Sequence, residues 1–273
     1  MTTLTPAEIA RYHEDGILFP FDVLDDADVA AANAALARLE AAPKEIRKGV
    51  LSSKSYLVSR ALYDICTRPA IVDRVADVLG GNAMLWSAGF FVKEASTPHY
   101  VSWHQDLTYW GLTPEDVVTA WVALTPSTVE SGCMRVIPGS HRGAILPHSN
   151  TYAATNLLSR GQEIAVAVDE GKAVDVVLAP GQMSLHHVKI AHNSEPNRAA
   201  HRRAGFAIRY IAPHVHQERP IRDTATLVRG VDRYGHFAAE PAPHGELIEA
   251  DIEVHHRHWR EAQAMMKAEA ART

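Results

Sequence analysis

Cysteine is scarce in this chain, since its 273 residues include only Cys66 and Cys133. The two cysteines form no Cys-x-x-Cys pair and have no Cys/His spacing of the kind that holds zinc, which argues against a disulfide scaffold and against a zinc module. Their contexts, YDICTR and SGCMRV, predict small buried thiols. A reduced, cytoplasmic setting fits this use of cysteine.

Long apolar runs and an excess of basic charge are also missing. The first residues, MTTLTPAEIARYHEDG, do not combine a charged segment with an apolar run, and no stretch approaches the roughly 20 apolar residues that span a bilayer. The 27 Lys and Arg residues are outnumbered by 32 Asp and Glu residues, for a formal net charge of -5. We therefore expect a soluble protein with no membrane partner and no nucleic-acid partner.

The composition is otherwise that of an ordinary globular protein, with 47% hydrophobic and 22% charged residues. The chain is long for one compact domain, but β-sandwiches and barrels of this size occur as single units, and no internal repeat or linker marks a second one. We therefore predict one domain over residues 1–273. The 16 histidines are many for this length, which suggests a use for imidazole.

Helix signals dominate the first third of the chain, about residues 1–80. Thr5-Pro6-Ala7-Glu8 has the pattern of a capping box with proline at the first helical position, and it predicts a helix that ends near Gly16. Further helices are predicted over about residues 26–41 and 69–79, the latter before a Gly-Gly stop.

From about residue 84 to 212, short apolar runs are separated by turn residues, as in MLWSAGFFVKE, VVTAWVALT and RAGFAIRYIA. This pattern is typical of an antiparallel sandwich or jelly roll, so the predicted fold is mainly β with helical decoration. The remaining residues, about 213–273, are predicted to form a lid-like segment and a C-terminal helix. Within them, a segment of about 214–243 rich in Pro, Arg, His and Gly is predicted to be irregular and lid-like, and a helix that packs outside the core follows.

The segment SWHQDLTYW, residues 102–110, carries the clearest chemical signal. Residues two apart on a strand share a face, so the imidazole of His104 and the carboxylate of Asp106 can point at one position. A third ligand from a distant strand would complete a 2-His-1-carboxylate site, which leaves positions on Fe(II) open for a cosubstrate and O2. An HxD triplet alone also arises by chance, as a surface histidine beside an N-capping aspartate.

Further segments give this triplet a context. The run IPGSHR at 137–142, the run HNSEPN that begins at His192, and Arg203 follow HQD at 104–106. Together they resemble the phytanoyl-CoA dioxygenase family, whose pattern is HxD, Pro-Gly-Ser-His, a distal His-x-Ser-x-x-Asn and then Arg. The opening YHEDGILFPFDVL also resembles the start of that family, so the similarity covers roughly residues 8–212. The resemblance implies a double-stranded β-helix core, which is a cupin-like jelly roll.

The resemblance also implies two cofactors and the residues that hold them. Fe(II) would be bound by His104, Asp106 and His192, which would be the catalytic residues, and 2-oxoglutarate would be the cosubstrate. Arg203 would bind the remote carboxylate of 2-oxoglutarate, a task for which a planar, always charged guanidinium is suited. Arg202 is its competitor, because the alternation in RAGFAIRY does not say which arginine faces inward.

Weaker predictions concern the surroundings of this site. Gln105, Trp121 and Ser194 match positions that contact the cosubstrate in relatives of the family. His186 and His187 are predicted to line the site or fill the core. Loops at about 44–60, 143–162 and 214–243 are expected to select the substrate. The basic residues of the first loop could meet an anionic substrate, but a solvated basic face is the preferred interpretation: Lys44, Arg47, Lys48, Lys54 and Arg60.

The reaction that the resemblance implies is hydroxylation of an unactivated C–H bond of a small-molecule metabolite, with O2 consumed and succinate and CO2 as coproducts. Asp106 favours hydroxylation over halogenation, because halogenating relatives replace this carboxylate with a small residue. Desaturation, cyclisation or epimerisation at the same iron centre is an alternative. A non-catalytic metal- or ligand-binding jelly-roll module is another, although such a module has no need for an arginine placed to hold a dicarboxylate.

Overall fold

The computed structural model describes residues 3–270, with side chains described as far as residue 264. Its α-helices, in chain order, are α1 (Pro6–Asp15), α2 (Asp26–Ala41), α3 (Arg60–Cys66), α4 (Pro69–Val78), α5 (Leu107–Trp110) and α6 (Glu249–Ala270). The capping box predicted at Thr5 is present: its side chain accepts from the Glu8 amide, and the Glu8 side chain accepts from the Thr5 amide. Helix α1 ends at Gly16, whose φ of 75° needs the left-handed region that glycine adopts readily.

The strands fall into two facing sheets and two short two-stranded pairs, β4 with β13 and β7 with β8. In chain order they are β1 (Ile17–Asp22), β2 (Ala83–Lys93), β3 (Val101–His104), β4 (Leu112–Thr113), β5 (Val117–Ala123), β6 (Met134–Val136), β7 (His148–Asn150), β8 (Gln162–Ile164), β9 (Val174–Val176), β10 (Gln182–His187), β11 (His192–Ser194), β12 (Arg203–Ile211), β13 (His216–Gln217), β14 (Thr224–Arg229) and β15 (Ala238–Ala239). The major sheet has the order β1-β10-β5-β12-β2-β14-β15, and the minor sheet has the order β3-β11-β6-β9. The predicted jelly-roll fold with helical decoration is confirmed.

Strand β12 crosses the centre of the major sheet between β2 and β5, and its alternation separates two cores. Phe206, Ile208 and Tyr210 on one face belong to a hydrophobic core shared with helices α2, α3 and α4. Ala207 on the other face belongs to a smaller core with Trp121, between the two sheets. The helical first third of the chain therefore covers one face of the major sheet and leaves the other face for a site.

The lid-like segment is only partly irregular. Residues Thr224–Arg229 form β14, which pairs antiparallel with β2 and extends the major sheet. The prediction of an irregular segment over the whole of 214–243 is therefore wrong. The six-residue run TATLVR, with Thr224 and Ala225 buried, was obscured by the Pro, Arg and Gly residues on both sides of it.

The two cysteines are buried free thiols, as predicted, and burial raises the pKa of the Cys66 thiol well above its usual value. Helix α6 lies outside the sheets and contacts the short 3-10 turn Ser55–Leu57. None of the helices in residues 3–270 has the length and apolar character needed to cross a membrane.

Candidate metal centre

Strand pairing brings two histidines together in the minor sheet. His104 ends β3, His192 begins β11, and the two residues lie opposite each other in the antiparallel pair. Their ring centroids are therefore only 4.0 Å apart. Asp106 was expected on the same strand as His104, but β3 ends at His104. Asp106 instead lies in helical conformation as the N-cap of α5.

The turn still directs the Asp106 carboxylate to the two imidazoles. One carboxylate oxygen lies 3.4 Å from Nε2 of His104. One ligand atom from each of His104, Asp106 and His192 lies within 4.8 Å of the other two, and no other such group occurs within the described part of the chain. The structure thus brings the three predicted ligand residues to one point.

Both imidazoles are oriented by backbone carbonyls. Nδ1 of His104 lies 2.9 Å from the Ser102 carbonyl oxygen, and Nδ1 of His192 lies 3.0 Å from that of Ile190. A carbonyl only accepts hydrogen bonds, so each Nδ1 carries the proton and each Nε2 keeps a free lone pair for a metal. Burial lowers the pKa of His192 to about 3, which keeps this ring neutral.

Asp106 is an anion in this environment. Burial by itself would raise the pKa of its carboxyl, but the adjacent His104 imidazole, the nearby His192 ring and the positive charge of Arg209 hold that pKa well below its usual range. Two neutral imidazole nitrogens and one carboxylate are the donor set of the facial triad of non-haem Fe(II) enzymes. The residues present therefore fit Fe(II).

The ligand group faces a cavity between the sheets, which we call the inner cavity; its empty space, counted together with the open solvent at its mouth, is about 440 Å³. Arg203 lines it and is 2% exposed. Its guanidinium carbon lies 4.6 Å from the ring centroid of Trp121, a geometry of the cation–π type. Burial lowers the pKa of Arg203 to about 10, so the guanidinium is charged at neutral pH.

Arg202 has the opposite orientation. Its guanidinium donates to the Glu40 carboxylate at 3.1 Å and pairs with Glu94 at 2.9 Å, away from the inner cavity. Of the two arginines that the sequence left as competitors, the structure directs Arg203 inward.

The three weaker predictions have different outcomes in the structure. Trp121 and Ser194 line the inner cavity, and the Ser194 hydroxyl donates to the Gly132 carbonyl at 2.7 Å. Gln105 does not line it. Its side-chain amide donates to the Lys189 carbonyl at 2.7 Å, and its oxygen accepts from the Leu146 amide at 2.8 Å. The predicted cosubstrate contact of Gln105 is therefore corrected, because both ends of its amide are bonded elsewhere.

Sequence reasoning missed Arg209, which follows Arg203 by six residues on β12 and lines the same cavity. The signal was available, because residues 203, 205, 207 and 209 share a face of the strand once Arg203 faces inward. Thr119, opposite Arg209 on β5, and His186 also line the inner cavity. Burial lowers the pKa of His186 to about 4. Thr119 Oγ1 and His186 Nδ1 are buried without a hydrogen-bond partner in the described structure.

A second, larger cavity, which we call the outer cavity, opens on the other side of Asp106; its empty space, counted together with the open solvent at its mouth, is about 1080 Å³. Four residues line both cavities: Phe91, His104, Asp106 and Arg209. Tyr109 and Trp110 of α5 line the outer cavity only. His104 and Asp106 thus lie at the boundary between the inner cavity, which reaches Arg203, and the larger outer cavity.

Comparison with known proteins agrees with this geometry. The family model for phytanoyl-CoA dioxygenase (PhyH) matches residues 12–205. A probable alpha-ketoglutarate-dependent hypophosphite dioxygenase of Stutzerimonas stutzeri is 31% identical over 161 residues, which are 58% of this chain and 55% of that protein. The L-proline trans-4-hydroxylase of Streptomyces griseoviridis is 28% identical over 227 residues, 73% of this chain and 84% of that protein.

The chain spans little more than half the length of some curated relatives, such as the hypophosphite dioxygenase and a probable phytanoyl-CoA dioxygenase of Caenorhabditis elegans, at 55% and 56%. Similarity to one solved structure extends over nearly the whole of both chains. The apo form of ThoJ, described as a non-heme monooxygenase, is 34% identical with a TM-score of 0.86, and the match covers 97% of this chain and 99% of ThoJ.

Proposed function

Because this chain belongs to the phytanoyl-CoA dioxygenase family, we propose that it is an Fe(II)- and 2-oxoglutarate-dependent dioxygenase that hydroxylates a C–H bond of a small-molecule metabolite. The observation that carries the proposal is one cavity lined by the His104, Asp106 and His192 group and by the buried Arg203. The named activities of two relatives, an alpha-ketoglutarate-dependent dioxygenase and a proline hydroxylase, support the same reaction class.

We assign roles to the residues as follows. His104, Asp106 and His192 bind Fe(II), and Arg203 binds the remote carboxylate of 2-oxoglutarate. The chemistry that iron and 2-oxoglutarate supply when bound is activation of O2, coupled to oxidative decarboxylation of the cosubstrate to succinate and CO2: one oxygen atom of O2 enters succinate, and the other enters the substrate as a hydroxyl group.

The environment of Arg203 suits a dicarboxylate. Trp121 packs against the guanidinium of Arg203 and limits its motion, so the N–H donors of Arg203 are oriented before the cosubstrate arrives. The Ser194 hydroxyl adds a polar group to the same wall of the cavity. Apolar side chains such as Phe91, Val101 and Met134 complete the lining, and the low dielectric that they create strengthens the pairing of Arg203 with a carboxylate.

The neutral imidazoles around the site also have a role. His186 stays unprotonated at neutral pH, and its ring centroid lies 5.2 Å from that of His192. It therefore adds no positive charge that would compete with a metal cation. The same low-dielectric lining excludes water from the reacting atoms once the cosubstrate fills the inner cavity.

Other outcomes at the same centre are distinguished by their products. Hydroxylation adds one oxygen atom from O2 to the substrate, whereas desaturation, cyclisation and epimerisation do not. A non-catalytic ligand-binding module would form no succinate. The intact carboxylate ligand Asp106 supports hydroxylation, and the arginine that faces the metal group across one cavity supports an enzyme that uses a dicarboxylate.

The experiment is a turnover assay with Fe(II), 2-oxoglutarate and a panel of small metabolites under isotopically labelled O2. We expect iron-dependent succinate formation that is stimulated by a subset of the panel, and one labelled oxygen atom in the product. Succinate formation without iron, or a product that carries no label, would contradict the proposal. We further propose a reducing, cytoplasmic setting, which the free thiols of Cys66 and Cys133 support.

A further inference from the structure

Arg209 is a second cation at the metal centre that the roles assigned so far do not use, and its side chain is partly exposed. It lies on the inward face of β12, six residues beyond Arg203, and it lines both cavities at their boundary beside Asp106. Trp110 of the outer cavity contacts it, with the guanidinium carbon 5.2 Å from the ring centroid. The side chain is therefore directed to the space where the two cavities meet.

The guanidinium of Arg209 has no acceptor within the described part of the chain. Its Nε is buried without a hydrogen-bond partner, and no carboxylate lies within ion-pair distance of it there. A guanidinium carries five N–H donors and stays charged in proteins. Buried donors are nearly always bonded in native proteins, so an exception of this kind calls for an absent acceptor.

A charge count indicates what that acceptor is. With the proposed cofactors bound, the two positive charges of Fe(II) and the one of Arg203 balance the single negative charge of Asp106 and the two of 2-oxoglutarate. The histidine ligands are neutral. Arg209 then remains as one positive charge that no anion of the site balances, and such a charge is costly to the extent that it is shielded from water.

Apart from Asp106, whose charge is already counted, the outer cavity contributes no unpaired anion that would neutralise Arg209. Glu40 lines that cavity, but its carboxylate is paired with Arg202. Most of the remaining lining is apolar or uncharged, including Leu51, Phe90, Leu157, Ser159 and Gln162.

We propose that Arg209 binds a singly charged oxyanion group of the primary substrate, so that the enzyme accepts small acids with an apolar or uncharged body. The inference rests on the proposed function, because it takes the inner cavity to be filled by 2-oxoglutarate. Arg209 lies beside the metal ligand Asp106, so the C–H bond that reacts lies within a few bonds of the acidic group. The body of the substrate then extends along Tyr109 and Trp110 into the outer cavity.

The test uses calorimetric titration under anaerobic conditions of protein loaded with Fe(II) and 2-oxoglutarate. The probes are benzoate, its neutral counterpart benzamide, and phenylphosphinate as an oxyanion of another class. We compare the natural protein with Arg209→Gln and Arg209→Lys. Arg229→Gln is the matched control, since Arg229 lies on β14 of the same sheet, is half exposed, and pairs with Asp73 at 3.3 Å.

We expect benzoate to bind the natural protein roughly ten- to hundredfold more tightly than benzamide, as charged hydrogen bonds contribute on this scale. Arg209→Gln should remove this preference, Arg209→Lys should keep part of it, and Arg229→Gln should leave it unchanged. Binding of phenylphosphinate with the same dependence on Arg209 widens the substrate class to phosphorus oxyanions, whereas its failure restricts the class to carboxylates.

The inference is overturned if benzoate has no preference over benzamide, or if the preference survives in Arg209→Gln. It is also overturned if Arg209→Gln weakens binding of 2-oxoglutarate tenfold or more, since Arg209 then belongs to the cosubstrate site. Failure of the proposed function is a separate result, because it appears before any probe is added, as absence of 2-oxoglutarate binding to the natural protein with Fe(II). Retained 2-oxoglutarate binding shows that each variant is folded.

Discussion

Two neighbouring arginines at the start of β12 have opposite environments. Arg203 is buried against Trp121 in the inner cavity, whereas Arg202 pairs with Glu40 and Glu94 on the other side of the strand. They have the same charge and length and adjacent positions, and differ in the face they occupy. This pair therefore provides its own control for the role proposed for Arg203.

We predict that Arg203→Gln raises the KM for 2-oxoglutarate about 10- to 100-fold, because it removes charge-assisted hydrogen bonds worth roughly 1.5–3 kcal/mol. Arg202→Gln should change that KM less than threefold. It removes a partly exposed ion pair of the kind that contributes about 0–1 kcal/mol to stability. Succinate formation at varied 2-oxoglutarate measures both variants. Equal effects of the two substitutions would contradict the assignment of Arg203.

Gln105 lies between two metal ligands in sequence but holds loops together in the structure. Its amide bonds the Lys189 carbonyl and the Leu146 amide. Gln105→Ala leaves those groups without their partner, so we predict a loss of about 1–3 kcal/mol in the free energy of unfolding. The KM for 2-oxoglutarate, measured at saturating Fe(II), should stay within threefold of its natural value. A tenfold higher KM with unchanged stability would restore the cosubstrate role.

The identities of the metal ligands could be predicted from the sequence, but parts of their setting could not. The HQD triplet was recognisable from the residue types that the chemistry demands, and His192 from the resemblance to the family. The local conformation was not: Asp106 reaches the site from a helical turn, not from the strand. The expectation for Gln105 rested on a matching position in relatives, and such a match does not determine which way a side chain points.

At the scale of elements, the packing of β12 against β5 positions the cosubstrate arginine. Gly205 faces Trp121 so closely that an added Cβ would lie 1.8 Å from an indole carbon. The absence of a side chain at residue 205 therefore lets the indole lie under the guanidinium of Arg203. This is a close approach that only glycine permits.

We predict that Gly205→Ala displaces Trp121 and thereby weakens binding of 2-oxoglutarate, with a loss of about 1–3 kcal/mol in stability from overpacking. Gly143→Ala is the control. Its φ of -79° is open to any residue, and the nearest atom to an added Cβ is the Ser140 carbonyl oxygen at 3.6 Å. The free energy of unfolding of the control should stay within about 0.5 kcal/mol of that of the natural protein. Chemical denaturation and 2-oxoglutarate titration measure both effects; a neutral Gly205→Ala would contradict the account.

Elements with strong local signals were predictable, and elements defined by pairing were not. Helices α1 and α2 were predicted almost to the residue, because the capping box of α1 and the alanine-rich run of α2 are signals between neighbours in sequence. Strands β1 and β14 were missed. Each is held at the major sheet by a partner that is distant in sequence, β10 for one and β2 for the other, and such tertiary pairing has no local signature.

At the scale of the whole molecule, a buried ion pair joins the first third of the chain to the segment before α6. Lys54 Nζ lies 2.6 Å from a Glu240 carboxylate oxygen, and the side chains are 9% and 0% exposed. The Tyr56 hydroxyl donates to the same carboxylate at 2.7 Å, as does the Thr224 hydroxyl. On the sequence alone, Lys54 was interpreted as part of a solvated basic face. The structure shows that this interpretation is wrong, because Lys54 is buried and paired.

We predict that Glu240→Gln costs about 3–5 kcal/mol in the free energy of unfolding, because it leaves the charge of Lys54 buried without its partner. Removing both charges, with Lys54→Met and Glu240→Leu together, should cost less than the sum of the single losses. The pair of Lys172 and Asp169, which is 73% and 64% exposed, is the control and should contribute about 0–1 kcal/mol. Urea denaturation of the natural protein, of these single and double variants and of the variants of the control pair measures the differences in the free energy of unfolding. Strict additivity of the losses at the buried pair would contradict the prediction.

The central claim is that His104, Asp106 and His192 hold Fe(II) in a cavity that also binds 2-oxoglutarate. It is tested most directly by anaerobic absorption spectroscopy of the Fe(II) protein before and after addition of 2-oxoglutarate, with His104→Ala alongside. The account predicts a visible metal-to-ligand charge-transfer band that appears with 2-oxoglutarate in the natural protein and is absent in the variant. A natural protein that binds Fe(II), as measured by equilibrium dialysis, but develops no band would contradict it.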